Sequence, residues 1–156
     1  MKTAELNKVQ LNQKVVDGLA HFLADSYILY LKTQNFHWNV QGPHFHSLHL
    51  MFEEQYKELA DAVDKIAERM RALHSPAPAS FAQFSKLTSL EEARGHLKAE
   101  DMLKQLLHDH EIVTTHGLAL FAIAEQAGDD TTGDLILERL AAHEKTAWML
   151  RSTLEN

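Results

Sequence analysis

Three observations predict an all-α protein. Six glycines and three prolines in 156 residues, set among abundant Ala, Leu, Glu and Lys, make a composition of helix formers with few breakers. Apolar residues recur at spacings of three and four along long stretches, the period of an amphipathic helix rather than a strand. Between those stretches the breakers cluster, at Gly42-Pro43, at Pro76-Ala77-Pro78 and from Gly128 to Gly133, where the chain is expected to turn. A length of 156 residues with 45% hydrophobic content suits one domain, residues 1–156, with a sizeable core.

The first helix is predicted from about Glu5 to Phe36, with Leu6, Val9, Val16, Leu19, Leu23 and Tyr27 among its apolar positions. Val40-Gln41-Gly42-Pro43 ends it and begins another, since glycine closes helices and proline opens them. The second helix covers His44 to Leu73, and Ser75 to Ser80 is a break. Phe81-Ala82-Gln83-Phe84 reads as a short helix inside a connection that reaches about Leu97. The third helix runs from Ala99 to Ala127, and Gly128 to Gly133 separates it from a fourth that carries Leu135, Leu140, Trp148 and Leu154. Four long helices with one long crossover in the middle give a ferritin-like four-helix bundle, with a short extra helix between the second and third, rather than an up-and-down bundle.

The absence of cysteine removes disulfides, thiolate metal sites and thiol catalysis together, and a reducing cytosol is the expected home. Lys2, Glu5, Asn7 and Lys8 give the N-terminus a mixed polar character instead of a signal peptide's apolar run, and no stretch reaches membrane-spanning length, so the expected protein is soluble and cytoplasmic. A formal charge of -7 argues against a general nucleic-acid binder, and Lys2, Lys8 and Lys14 are too scattered to form a basic tail.

The second helix carries the chemistry. His49 and Glu53 are four apart, as are Asp64 and Glu68, so each pair projects two donors to one side of a helix. Leu48, Phe52, Leu59, Val63, Ile66, Met70 and Leu73 occupy a different arc, centred roughly 130° away at 3.6 residues per turn. The donors therefore face away from their own core, beside Ala60 and Ala67, which let a second helix come close. Nitrogen and hard oxygen together suit iron, manganese or zinc better than calcium.

His49 and Asp64 are separated by about 22 Å at 1.5 Å per residue, too far for one small site. An antiparallel copy related by a two-fold axis near Tyr56 and Lys57 lays His49 and Glu53 of one chain beside Asp64 and Glu68 of the other. The arithmetic predicts two equivalent metal sites at a homodimer interface. Helix-spaced charges alone are a solvated face; histidines and carboxylates combined on a face apart from the core favour metal.

Other candidates carry less. Trp38 reads either as a core aromatic closing the first helix or, next to His37, as a redox-active group. His44, His46, His108, His110 and His116 read as ordinary surface or core groups. A zinc-peptidase pattern fails, because His110-Glu111 and His143-Glu144 are followed by Thr114 and Ala147 where a second histidine is needed. Glu-x-x-His, the mark of di-iron sites inside a bundle, occurs nowhere. Glu125, Asp129, Asp130 and Asp134 either cap the fourth helix or, around a symmetry axis, line a cation-attracting pore.

Asn35-Phe36-His37-Trp38-Asn39-Val40, the His49 and Glu53 pair, and Asp64-Lys65-Ile66-Ala67-Glu68-Arg69 resemble the Dps proteins, the mini-ferritins, over nearly the whole chain. The resemblance implies a hollow dodecamer that oxidises Fe(II) with hydrogen peroxide, or less readily dioxygen, and stores Fe(III) mineral inside. It implies two irons per inter-subunit site, with zinc as a competitor, held by His37, His49 and Glu53 of one subunit and Asp64 and Glu68 of its neighbour. Glu53 stands where many members have Asp, which bears on the weaker second iron position. By the same resemblance Glu125, Asp130 and Asp134 line pores on the three-fold axes, and Trp38 supplies an electron near the iron. The Lys-rich or Arg-rich tail of DNA-binding members is missing, so direct DNA binding is not expected. Two rival functions remain at this level: a DNA-compacting protein with a vestigial metal site, and a scaffold that handles neither iron nor DNA.

Overall fold

The computed structural model describes residues 6–155, and within them the chain forms five helices: α1 (Lys8–Asn39), α2 (Phe45–Ala72), α3 (Phe81–Leu87), α4 (Ala99–Ala127) and α5 (Asp130–Leu154). No strand occurs among these residues. Lys2 and the predicted first-helix start at Glu5 lie outside the described residues. The visible start is set by Asn7, whose side chain accepts from the Gln10 N–H at 2.9 Å while Gln10 accepts from the Asn7 N–H at 2.9 Å. This reciprocal cap contributes about 1 kcal/mol.

Helix α1 runs one turn past the predicted Phe36, to Asn39, and ends where Val40 turns extended ahead of Gly42 at φ +119°. That last turn holds His37 and Trp38 in helical register. The connection between α4 and α5 is shorter than the predicted Gly128 to Gly133. Gly128 alone turns left-handed at φ 69°, Asp129 caps α5 by accepting from the Thr132 N–H at 3.0 Å, and the helix is under way by Asp130. Gly133 is helical, and what it supplies is space: a Cβ there would lie 3.4 Å from the Phe121 ring.

Contacts fix the topology. His37 meets His49 and Tyr30 meets Tyr56, so α1 and α2 are antiparallel. Gly117 lies against Leu140 and His110 against His143, so α4 and α5 are antiparallel. Lys32 pairs with Asp109 at 2.8 Å, with both side chains buried, and ties the end of α1 to the beginning of α4. Residues 73–98 cross the length of the bundle, and α1 holds them: Asp25 accepts from Thr88 Oγ1 at 2.8 Å and from the Ser89 N–H at 2.7 Å, while His21 donates to the Leu87 carbonyl at 2.9 Å. The architecture is the predicted ferritin-like bundle, with the short helix extended to Leu87.

The core fills the space between the four long helices around Phe22, Phe36, Phe52, Leu106, Ile136 and Leu150. Of the predicted α2 seam, Leu48, Phe52, Leu59, Ile66 and Met70 are buried, and Val63 and Leu73 pack on the core from its edge. Trp38 is 63% exposed, so within the single chain it is no core aromatic. Among the described residues no helix is long and apolar enough to cross a membrane.

Candidate metal centre

Where α1 ends and α2 begins, two histidines lock each other in place. Nδ1 of His37 lies 2.7 Å from the His49 carbonyl, and Nδ1 of His49 lies 2.7 Å from the His37 carbonyl. A carbonyl only accepts, so both Nδ1 atoms carry hydrogen and donate. In the neutral rings both Nε2 atoms then hold a bare lone pair. The rings stack at 3.9 Å with planes 14° apart, so the two lone pairs belong to one rigid unit. Neither Nε2 has a hydrogen-bond partner among the described residues, and neither is sealed from solvent. Imidazole with one nitrogen bonded to a backbone carbonyl and the other free is the arrangement metal-binding histidines adopt.

The surroundings fix the pair further. Phe45 stacks on His49 at 5.1 Å, and Tyr56 sets its edge against His37 at 5.2 Å. Glu53, one turn beyond His49, accepts from Lys57 Nζ at 2.7 Å. The Lys57 hydrogen bond and charge, with smaller contributions from His37 and His49, hold the Glu53 carboxyl below its ordinary range. Its carboxylate is thus ionised and reachable, at the cost of releasing one exposed ammonium group.

Asp64 and Glu68 are exposed on the same helix, about 22 Å and about 28 Å along the axis from His49. One chain sets His37 against His49, keeps Glu53 one turn further along α2 on Lys57, and leaves Asp64 and Glu68 at a distance. Among the described residues no three acidic or histidine side chains of the single chain gather closely enough to hold one ion. The acids near the α4–α5 turn divide into two kinds. Asp129 is a structural cap that also accepts from Arg69 Nη2 at 2.8 Å, whereas Glu125, Asp130 and Asp134 are exposed.

A second histidine pair sits inside the bundle. Nδ1 of His110 and Nδ1 of His143 are 2.8 Å apart, with both rings buried. Arg139 Nη2 donates to His143 Nε2 at 3.4 Å and to Glu58 Oε2 at 3.1 Å. Burial first, then the Arg139 charge, pushes His110 down to about 3. Burial, then the charges of His110 and Arg139, pushes His143 well down also. Facing a guanidinium, this pair is hostile to a cation. His110 thus has the ordinary core role expected of it, but its pairing with His143 went unread; the signal was their placement on the apolar stripes of α4 and α5.

An antiparallel double hairpin with a helix-bearing crossover, and mixed imidazole and carboxylate donors on its α1–α2 side, defines a ferritin-like protein. The ferritin-like domain of the Ferritin family matches residues 16–156. The chain is 37% identical over 144 residues to DNA protection during starvation protein 2 of Bacillus anthracis, covering 92% of this chain and 99% of the relative. Dps of Thermosynechococcus elongatus superposes with a TM-score of 0.93 at 31% identity, covering 96% of this chain and 95% of the other. Dps of Vibrio cholerae O1, described as a member of a broad superfamily of ferritin-like diiron-carboxylate proteins, does so at 0.90 and 28% identity over 99% and 97% of the two chains. The chain belongs to the Dps family of mini-ferritins, whose general business is iron sequestration.

Proposed function

We propose that the protein is a ferroxidase and iron store that takes Fe(II) as substrate at sites shared between two subunits. The observation that carries this reading is the His37 and His49 unit, with two Nε2 lone pairs fixed by reciprocal carbonyl bonds beside an ionised Glu53. Asp64 and Glu68 of a two-fold partner complete each site, matching the axial offset along α2. Lys57 leaves Glu53 when iron arrives. Carboxylates favour the harder Fe(III) product and so pull the oxidation forward.

Hydrogen peroxide is the oxidant, with dioxygen slower, and two irons occupy each site, Glu53 shaping the weaker position. Zinc competes for the same donors. The whole chain, residues 1–156, acts as one unit in a hollow dodecamer in the cytoplasm. Glu125, Asp130 and Asp134 meet around three-fold axes and draw Fe(II) inward, while Trp38, exposed in the single chain, lies near the shared site as an electron source. Relatives named for DNA protection fit the same chemistry without DNA contact: a chain of charge -7 protects by removing Fe(II) and peroxide, the two reactants of hydroxyl-radical formation.

The test is stopped-flow absorbance after anaerobic Fe(II) loading and peroxide addition, with particle mass followed in parallel. Wild-type protein forms Fe(III) rapidly and retains it. Asp64→Ala/Glu68→Ala keeps the particle mass and loses the rapid phase; unaltered kinetics in that variant would remove the site assignment.

A further inference from the structure

The sequence holds three tyrosines, and all three stand in one line of ring contacts that begins at His37. Tyr56 of α2 lies 5.2 Å from the His37 ring, and Tyr30 of α1 lies 6.0 Å from Tyr56. Tyr27 follows 5.6 Å from Tyr30, then stacks on Phe84 of α3 at 4.7 Å. Tyr27 and Phe84 form part of the wall of an open groove with Phe81, which is 76% exposed. The line therefore runs from the metal centre to the surface.

Packing alone does not call for phenols here. In the single chain all three rings are half-buried, and none of the hydroxyls has a hydrogen-bond partner among the described residues or is sealed from solvent. Phenylalanine would fill the same space. What a phenol adds is the ability to give up an electron and a proton together. Trp38, adjacent to His37 in sequence, points away from its own chain, whereas within the chain the ring contacts of His37 are with His49 and Tyr56.

We propose that Tyr56, Tyr30 and Tyr27 form a redox relay that supplies the second electron for peroxide reduction when a single Fe(II) occupies the site. The proposal rests on the ferroxidase reading above. Peroxide needs two electrons and one Fe(II) gives one. Fe(II), H2O2, the Tyr56 phenol and one proton yield Fe(III), a tyrosyl radical and two waters. The O–O bond breaks, and the phenolic hydrogen leaves as an electron and a proton, the proton ending in water. Electrons then step from Tyr30 to Tyr56 and from Tyr27 to Tyr30, each donor losing its proton to solvent as the acceptor regains one. A second Fe(II) reaching the site returns an electron, a proton from solvent restores the phenol, and the sum is two Fe(II), one peroxide and two protons to two Fe(III) and two waters. Without the relay, one-electron reduction of peroxide at a lone Fe(II) releases hydroxyl radical.

The assembled protein is loaded anaerobically with one Fe(II) per site, mixed with one equivalent of peroxide, and freeze-quenched for electron paramagnetic resonance. Peptide mass spectrometry maps oxidised tyrosines, and absorbance follows Fe(III). The expected result is a transient tyrosyl signal in the wild type, its loss in Tyr56→Phe, and in Tyr27→Phe a retained signal with oxidation products shifted to Tyr30. Fe(III) formation in the wild type with no tyrosyl signal, or an equal signal in Tyr56→Phe, overturns the relay and leaves the ferroxidase reading standing. A wild type that oxidises no Fe(II) removes that reading, and the relay with it.

Discussion

The molecule contains two histidine pairs that use the same ring atom in opposite ways. In the His37 and His49 pair each Nδ1–H ends on a backbone carbonyl, and both Nε2 lone pairs are left for an incoming ion. In the His110 and His143 pair the Nδ1 atoms face each other at 2.8 Å, Arg139 supplies a positive neighbour, and His110 Nε2 is enclosed without a partner. Imidazole content is equal and chemistry is not. What separates a ligand from a core group is the partner of Nδ1, the nearest charge and the access of Nε2.

The largest effect should come from breaking the outer pair. His37→Ala/His49→Ala removes two nitrogen donors, and Fe(II) affinity is expected to fall at least about 100-fold, more than loss of a metal's supporting partners causes. Anaerobic Fe(II) titration by calorimetry measures it, with helix content by circular dichroism intact.

Breaking the inner pair should cost stability while leaving the metal centre intact. His143→Ala opens a cavity beside Phe22 and leaves His110 Nδ1 unpaired, a loss of about 2–4 kcal/mol. The denaturant midpoint should fall while Fe(II) affinity stays at the wild-type value. His110→Leu/His143→Leu should recover part of that loss, because removing both partners leaves no orphaned polar atom between them.

Acid sharpens the contrast next. Unfolded histidine takes up a proton near pH 6.5, whereas folded His110 resists until about 3 and His143 is lowered in the same direction. Between those values the unfolded chain binds more protons, so stability falls as pH falls, by up to about 1.4 kcal/mol per pH unit for each histidine. Above pH 6.5 this contribution is fully present. Thermal midpoints across that window should drop less steeply in the double leucine variant than in the wild type.

The smallest change concerns Lys57, which holds Glu53 in the free protein. Lys57→Gln frees the carboxylate, and Fe(II) binding should tighten a few-fold, in keeping with the modest worth of an exposed ion pair. Weaker binding would mean that Lys57 helps place Glu53 rather than competing for it.

Much of this was legible in the sequence because helical faces are local. The spacing of Leu48, Phe52, Leu59, Ile66 and Met70 gave the α2 seam, and the same arithmetic separated His49, Glu53, Asp64 and Glu68 from it. His110 shares a stripe with Leu103, Leu106, Val113 and Leu120, and His143 with Ile136, Leu140, Ala147 and Leu150, so their burial was readable too. Their mutual hydrogen bond was not, since it depends on how α4 and α5 register across the bundle. The reciprocal His37 and His49 bonds were hidden for a similar reason: the connection from Val40 to His44 sets the approach of two backbones, and no periodicity encodes that distance. The start of α5 was misplaced because two glycines bracket it, although only Gly128 needs the left-handed conformation. Of the two readings of Trp38, the core aromatic fails because its position on the last turn of α1 points outward, while Phe36 and His37 beside it are buried.

The central claim is that each iron site takes histidines from one subunit and Asp64 and Glu68 from another, and complementation tests it most directly. Two inactive variants, His37→Ala/His49→Ala and Asp64→Ala/Glu68→Ala, are unfolded together, refolded as mixed particles and assayed for rapid Fe(II) oxidation. In a mixed dimer one site lacks all these ligands and the other has a full set, so random pairing should restore about a quarter of the wild-type sites. Mixed particles as inactive as their parents would contradict the shared site.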